Sequence, residues 1–161
     1  MSREEKPLQM AAFRVGPHEC SLDIMTIKEI VNPLPITPVP RAPDFMEGVV
    51  ELRGSIVPIV DLRKRFGIEA EDSPSKKYLV VSMDRRIVGL VVDSVTEVIT
   101  VPRAELRPAP PMITGDEAQP ISGMCRYGGR LILILDLNVL LTSKEKMKLE
   151  ALENADNEGD E

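Results

Sequence analysis

Gly48-Val49-Val50-Glu51-Leu52-Arg53-Gly54-Ser55-Ile56-Val57-Pro58-Ile59-Val60-Asp61-Leu62-Arg63-Lys64-Arg65-Phe66 returns 75 residues later, without a gap, as Gly123-Met124-Cys125-Arg126-Tyr127-Gly128-Gly129-Arg130-Leu131-Ile132-Leu133-Ile134-Leu135-Asp136-Leu137-Asn138-Val139-Leu140-Leu141. The pairs Gly48/Gly123, Gly54/Gly129, Ile56/Leu131, Ile59/Ile134, Asp61/Asp136 and Leu62/Leu137 keep one register throughout. Each copy is a short apolar run framed by glycines, and glycines at both ends of Gly48 to Gly54 permit the sharp bends of a small closed barrel.

Working outward, residues 9–31 repeat at 77–99 with a shift of 68, placing Val15 on Met83, Leu22 on Leu90, Ile27 on Val95, Glu29 on Glu97 and Ile30 on Val98. The change of shift falls in two proline-rich connections, Asn32 to Glu47 and Thr100 to Ser122, where insertions cost least. The expectation is an all-β chain of two tandem five-stranded SH3-like β-barrels, residues 9–70 and 76–142, joined by the polar segment Glu69 to Lys76. A unit of ~60 residues buries only about 60% of its unfolded surface, so the barrels are expected to lean together and to leave a groove between them. After them, Thr142-Ser143-Lys144-Glu145 has the form of a capping box, and Met147, Leu149 and Leu152 give a modest apolar stripe. Residues 143–161 are therefore expected to form a short terminal helix that runs into an acidic tail.

Composition supports strands and limits function. The chain has 161 residues, 43% of them hydrophobic, with three Phe, two Tyr and no Trp, a set rich in β-branched side chains. Its net charge of −6 is carried by Glu150, Glu153, Asp156, Glu158, Asp160 and Glu161, which leaves 20 acids against 20 bases in the body. A neutral body almost without aromatics is poorly suited to neutralising phosphates or stacking bases, so nucleic acid is excluded as a partner. Cys20 and Cys125 are too few for a disulfide framework, and reduced thiols in the cytoplasm are expected. The longest apolar run, Leu131 to Leu135, falls far short of the roughly 20 residues of a membrane span. Direct membrane insertion is therefore not expected.

Catalytic and metal chemistry find little support. His18 is the sole histidine, and a zinc site needs several ligands. There is no Gly-x-Ser-x-Gly elbow and no glycine-rich phosphate loop. Asp61 and Asp136 end equivalent strands, but each precedes a helix-compatible stretch and is better read as an N-cap than as an acid–base pair. No catalytic residue, cofactor or metal is assigned.

Positions shared by the copies belong to the scaffold, whereas positions that differ are free to carry function. Arg53 corresponds to Gly128, so the barrel plan does not demand it, and a guanidinium on a fixed turn suits a bidentate contact with a carboxylate. An internal salt bridge to Glu29 or Asp61 is the competing reading. Glu29 lies on the solvent face of Ile27-Lys28-Glu29-Ile30, and Glu97 holds its place in the second copy.

Ser21-Leu22-Asp23-Ile24 with Lys28-Glu29-Ile30, Met46-Glu47-Gly48-Val49-Val50, Leu52 to Arg63, Val88-Gly89-Leu90-Val91-Val92-Asp93 and Leu106-Arg107-Pro108-Ala109-Pro110 together resemble the CheW family over residues 10–142. The resemblance implies a cytoplasmic, non-catalytic scaffold recruited to membrane receptor arrays. Its partners would be the cytoplasmic tips of methyl-accepting chemoreceptors and the regulatory domain of the histidine kinase CheA. Receptor contacts would fall on Ile27, Glu29, Arg53, Val57 and Tyr78, the last two in an apolar groove between the barrels; no kinase-contact residue is assigned. Another module of this fold, a CheV-type coupling domain or a kinase regulatory domain, is the alternative within the class. A small-ligand or enzymatic domain using the cleft with Asp61, Asp136 and Arg53 as anchors is the alternative outside it. One departure from the family pattern is Glu51, where many relatives have Asn; its charge is placed to pair with Arg53.

Overall fold

The computed structural model describes residues 6–42, 44–69, 72–83, 85–108 and 121–140. Turn residues and β-branched runs divide them into β1 (Leu8–Val15), β2 (His18–Asp23), β3 (Ile27–Val31), β4 (Met46–Leu52), β5 (Ser55–Asp61), a one-turn helix α1 (Leu62–Arg65), β6 (Lys77–Met83), β7 (Arg86–Val92), β8 (Ser94–Val101), β9 (Leu106–Pro108), β10 (Ile121–Tyr127) and β11 (Arg130–Leu135). A 3-10 turn, Leu137–Val139, stands where α1 stands in the first copy. The terminal helix expected from Thr142 onward, with its capping box and acidic tail, lies outside the described residues.

The strands form two sheets, ordered β8-β1-β2-β11-β10-β9 and β3-β6-β7-β5-β4. Under the shifts of 68 and 75, the second order is the first five strands of the other sheet, element for element. Agreement extends to single residues. The parallel contact Ile59↔Gly89 repeats as Ile134↔Ser21, and the bulge between Ile27 and Glu29 opposite Val81 and Val80 repeats opposite Phe13 and Ala12. The repeated Gly48 and Gly123 have a shared cause, because a Cβ there would stand 2.4 Å from the Thr37 carbonyl oxygen and 2.6 Å from that of Arg107.

The sheets do not follow the division into residues 9–70 and 76–142. Hairpin β1–β2 leaves the first unit to pair with β8 and β11, and hairpin β6–β7 leaves the second to pair with β3 and β5. A repeat in sequence fixes which strand types recur but not which copy supplies them, and here the two copies exchange their first hairpins.

Exchange explains the apolar runs. Met10 to Phe13 and Tyr78 to Val81 are buried without a break, as strands covered on both faces must be. One face of each hairpin fills its own sheet: Met10, Ala12, Ile99, Cys125 and Ile132 in one case, Val50, Val57, Ile59, Tyr78 and Val91 in the other. The other face joins a central cluster of Phe13, Val15, Leu22, Val60, Leu62, Leu79, Val81, Leu90, Leu135 and Leu140. That cluster draws on both sheets, so the seam expected to be an apolar groove is filled with core.

At one end of the seam lies a buried charge network. Asp61 caps α1, its Oδ1 accepting from the Arg63 backbone N–H at 2.9 Å and from Arg63 Nε at 3.0 Å. Arg63 Nη2 donates to Asp61 Oδ2 at 3.0 Å and Nη1 to Asp93 Oδ1 at 3.1 Å. Asp93 also accepts from the Gly16 backbone N–H, while its carbonyl accepts from Ser73 Oγ at 2.9 Å. These bonds hold the guanidinium charged: Asp61 foremost, against the opposing effect of burial, raises the Arg63 pKa. In the second copy Asp136 caps its turn through the Asn138 N–H at 2.9 Å, so both aspartates are caps, as read from the sequence.

Removing Arg63 leaves Asp61 and Asp93 without their cation at a site where Asp61 is 1% exposed. Arg63→Ala is expected to cost about 3–5 kcal/mol, read as a lower urea midpoint with an unchanged slope; a midpoint within error of the parent would show the network contributes nothing. The thiols supply a second test. Burial pushes the Cys20 pKa up to about 12 and raises that of Cys125, so a thiol reagent at neutral pH is expected to label neither cysteine in the folded chain and both in urea.

Candidate functional site

The hairpin joining β4 to β5 turns on Arg53 and Gly54, both with positive φ, 52° and 82°. Two consecutive left-handed residues make the tight turn that matches the twist of a β-hairpin. The equivalent turn is Gly128 and Gly129, at 56° and 77°. The backbone asks for glycine at both places, and at position 53 a side chain with a Cβ is held in a conformation that disfavours it.

The Arg53 guanidinium reaches across to β3, Nε donating to Glu29 Oε2 at 3.0 Å and Nη2 to Oε1 at 3.2 Å. β3 and β4 are the two ends of their sheet, so this fork closes the sheet into a barrel. The hydrogen bonds it donates to Glu29 raise the Arg53 pKa. Glu51, placed by sequence as a partner for Arg53, is not one: its side chain is exposed and forms no hydrogen bond or ion pair with any described residue.

An arginine–glutamate pair spans the second barrel too, from β11 to β8. Arg130 donates from Nη2 to Glu97 at 2.7 Å and from Nη1 to Glu19 at 2.8 Å, and lies 5.8 Å from the Tyr127 ring centre. Glu97 is the counterpart of Glu29, but Arg130 is the counterpart of Ser55 and not of Arg53. Pairing with glutamate is therefore common to both copies, and the placement of Arg53 at the turn is what distinguishes the first. Its side chain is 75% exposed against 43% for Arg130, so it keeps donors for a partner while bound to Glu29.

The expected site residues divide into two groups. Glu29 and Arg53 meet, and Ile27 sits two residues before Glu29, half-buried against the central core. Val57 and Tyr78 do not line a groove: they are 2% and 3% exposed, inside the β3–β7 sheet, where their counterparts Ile132 and Met10 fill the other sheet. The run Ile56-Val57-Pro58-Ile59-Val60 has no polar alternation to reveal which side faces out. Neighbours on a strand point to opposite faces, and the exposed one is Ile56, at 42%. Ile56 and Ile30, 45% exposed, are the surface apolar residues the sequence reading missed, and their counterparts Leu131 and Val98 are exposed as well. Exposure at both members of each pair was the available signal, visible only once the faces are known.

Other chemistry is spent on the fold. A depression of about 530 Å³ lies beside Gly16, Ile68, Asp72 and Asp93, but its guanidinium, Arg63, is held by Asp61 and Asp93. The polar anchors of an enzymatic cleft, Asp61, Asp136 and Arg53, are engaged respectively with Arg63, the Asn138 N–H and Glu29. Among the described residues no group of three or more His, Cys, Asp or Glu is placed to hold a metal. None of their helices is long and apolar enough to cross a membrane.

Comparison with known proteins agrees with this arrangement. The chain is 32% identical to the chemotaxis protein CheW of Treponema pallidum over 92% of its own length and 91% of that protein. It is 34% identical to the chemotaxis protein CheW of Rhizobium meliloti, over 86% of this chain and 90% of the relative. The crystal structure of the scaffolding protein CheW from Thermoanaerobacter tengcongensis superposes with a TM-score of 0.79 at 31% identity, covering 86% of this chain and 95% of the other. The family model described as the CheW-like domain matches residues 9–145, and the chain, with its paired barrels and exchanged hairpins, belongs to the CheW-like family.

Proposed function

We propose that this chain is a non-catalytic coupling scaffold of chemotaxis signalling, joining the cytoplasmic tips of methyl-accepting chemoreceptors to the regulatory domain of the histidine kinase CheA. It acts in the cytoplasm and reaches the membrane through its partners. The receptor-docking face consists of Glu29 and Arg53 with the exposed Ile30 and Ile56, and Ile27 supports the β3 strand from beneath. Apolar anchors bordered by a charged rim suit a helical segment laid against a surface.

Arg53 carries this reading. A left-handed arginine where the sister turn has glycine is a local conformational cost, and its pairing with Glu29 does not explain it, because in the second barrel the counterpart Glu97 is paired by an arginine on an extended strand. A partner carboxylate or carbonyl meeting the remaining guanidinium donors accounts for the choice.

Arg53→Gly is the direct test, since Gly128 shows the turn accepts it. The expected melting temperature stays within about 4 °C of the parent, because relief of the left-handed side chain offsets loss of an exposed ion pair. Co-sedimentation with receptor and kinase is expected to fall to background for Arg53→Gly and Arg53→Glu alike. Parent-level recovery of both variants in receptor–kinase assemblies would show that this face does not couple them.

A further inference from the structure

On the outer face of the β4–β5 hairpin, Glu51 stands directly across from Ile56. On the β10–β11 hairpin, at the equivalent register, Arg126 stands directly across from Leu131. All four are exposed, and neither charged side chain has a hydrogen bond or ion pair to any described residue. The same frame thus carries opposite charges at one position in its two copies, so folding requires neither sign. Because Glu29 and Arg53 neutralise each other, Glu51 is the uncompensated charge of its hairpin.

We propose that Glu51 is a specificity-determining residue of the receptor-docking face, selecting a lysine or arginine on the receptor's helical tip. The inference rests on the function proposed above and adds the chemistry of the residue that is read. The carboxylate is separated from Arg53 by one residue and lies across from the exposed Ile56, so a helix anchored on Ile56 passes beside it. An exposed charge at such a rim acts through encounter rate and through rejection of wrong partners more than through raw affinity. The face therefore favours a basic neighbour to its apolar anchor and repels an acidic one. Arg126 in the equivalent place repels the same basic segment, which keeps the receptor on one barrel.

The test titrates the full-length chain with a purified cytoplasmic-tip fragment of a chemoreceptor from the source organism, at several NaCl concentrations. The parent is compared with Glu51→Gln, Glu51→Lys, Arg126→Gln and Arg53→Glu. Glu51→Gln is expected to weaken binding roughly fivefold at low salt, with a flatter salt dependence than the parent, and Glu51→Lys to weaken it further. Arg126→Gln is expected to bind as the parent does. Among receptor fragments with single Lys or Arg residues changed to Glu, one is expected to restore binding to Glu51→Lys. Parent-like binding by both Glu51 variants, with binding lost in Arg53→Glu, overturns the assignment of Glu51 and leaves the docking face standing. Equal losses in Arg126→Gln and Glu51→Gln overturn it too, because the effect is then one of overall charge. If Arg53→Glu also binds like the parent, the docking face itself is wrong.

Discussion

Three strands of this chain, β1, β6 and β7, are apolar on both faces along their buried stretches, and everything else is arranged to cover them. A strand of that kind cannot sit at a protein surface, because neither face tolerates water. Each hairpin therefore occupies the middle of a sheet while its second face is pressed against the opposite sheet. Reciprocal exchange meets both demands, since each copy's hairpin is flanked by strands of the other. The two barrels are consequently parts of one cooperative core: separating them would expose the central cluster and strip the middle strands of their hydrogen-bonded neighbours.

Symmetry in the backbone makes its departures informative. The cap at Asp61 and the cap at Asp136 are the same device, yet only the first is followed by an arginine that reaches a second carboxylate. Asp93 then becomes a junction for the α1 end, the β1–β2 turn and the segment leading into β6. At the other end of the same arrangement, Arg65 Nε donates to the carbonyl of Leu140 at 2.6 Å, and these two positions are themselves counterparts, 75 residues apart. Polar contacts thus fix the angle between sheets that the apolar seam, being non-directional, leaves loosely defined.

Much of this was legible in the sequence for a simple reason: a gapless repeat constrains every residue twice. The strands, both aspartate caps and the glycine turns follow from paired positions whose chemistry agrees. Strand ownership was not legible, because hairpins exchanged between equivalent copies leave the same residues in the same kinds of environment. The site was half legible. Arg53 emerged as a difference between copies, and Glu29 was named as its potential internal partner, but Val57 and Ile56 are indistinguishable by type, and only the pleat shows that Val57 points inward. Tyr78, which the resemblance places in an apolar groove between the barrels, occupies the position of the buried Met10 and is itself buried.

A duplicated scaffold of this form can specialise its surfaces cheaply. Its core positions are bound to each other across the seam, so a change there is felt in both barrels; its hairpin tips are exposed and differ between the copies while the backbone register is kept. Gly128 against Arg53, Arg130 against Ser55 and Arg126 against Glu51 are all differences of the second kind. In each, the backbone register is unchanged and only the group offered to solvent differs. Two outward faces that began alike therefore differ in charge and in the donors they present, which is the minimum a protein needs in order to hold two different partners in a fixed relation. Orientation in such a protein comes from the seam and identity from the tips, and the left-handed Arg53 stands at a tip whose sister copy has glycine.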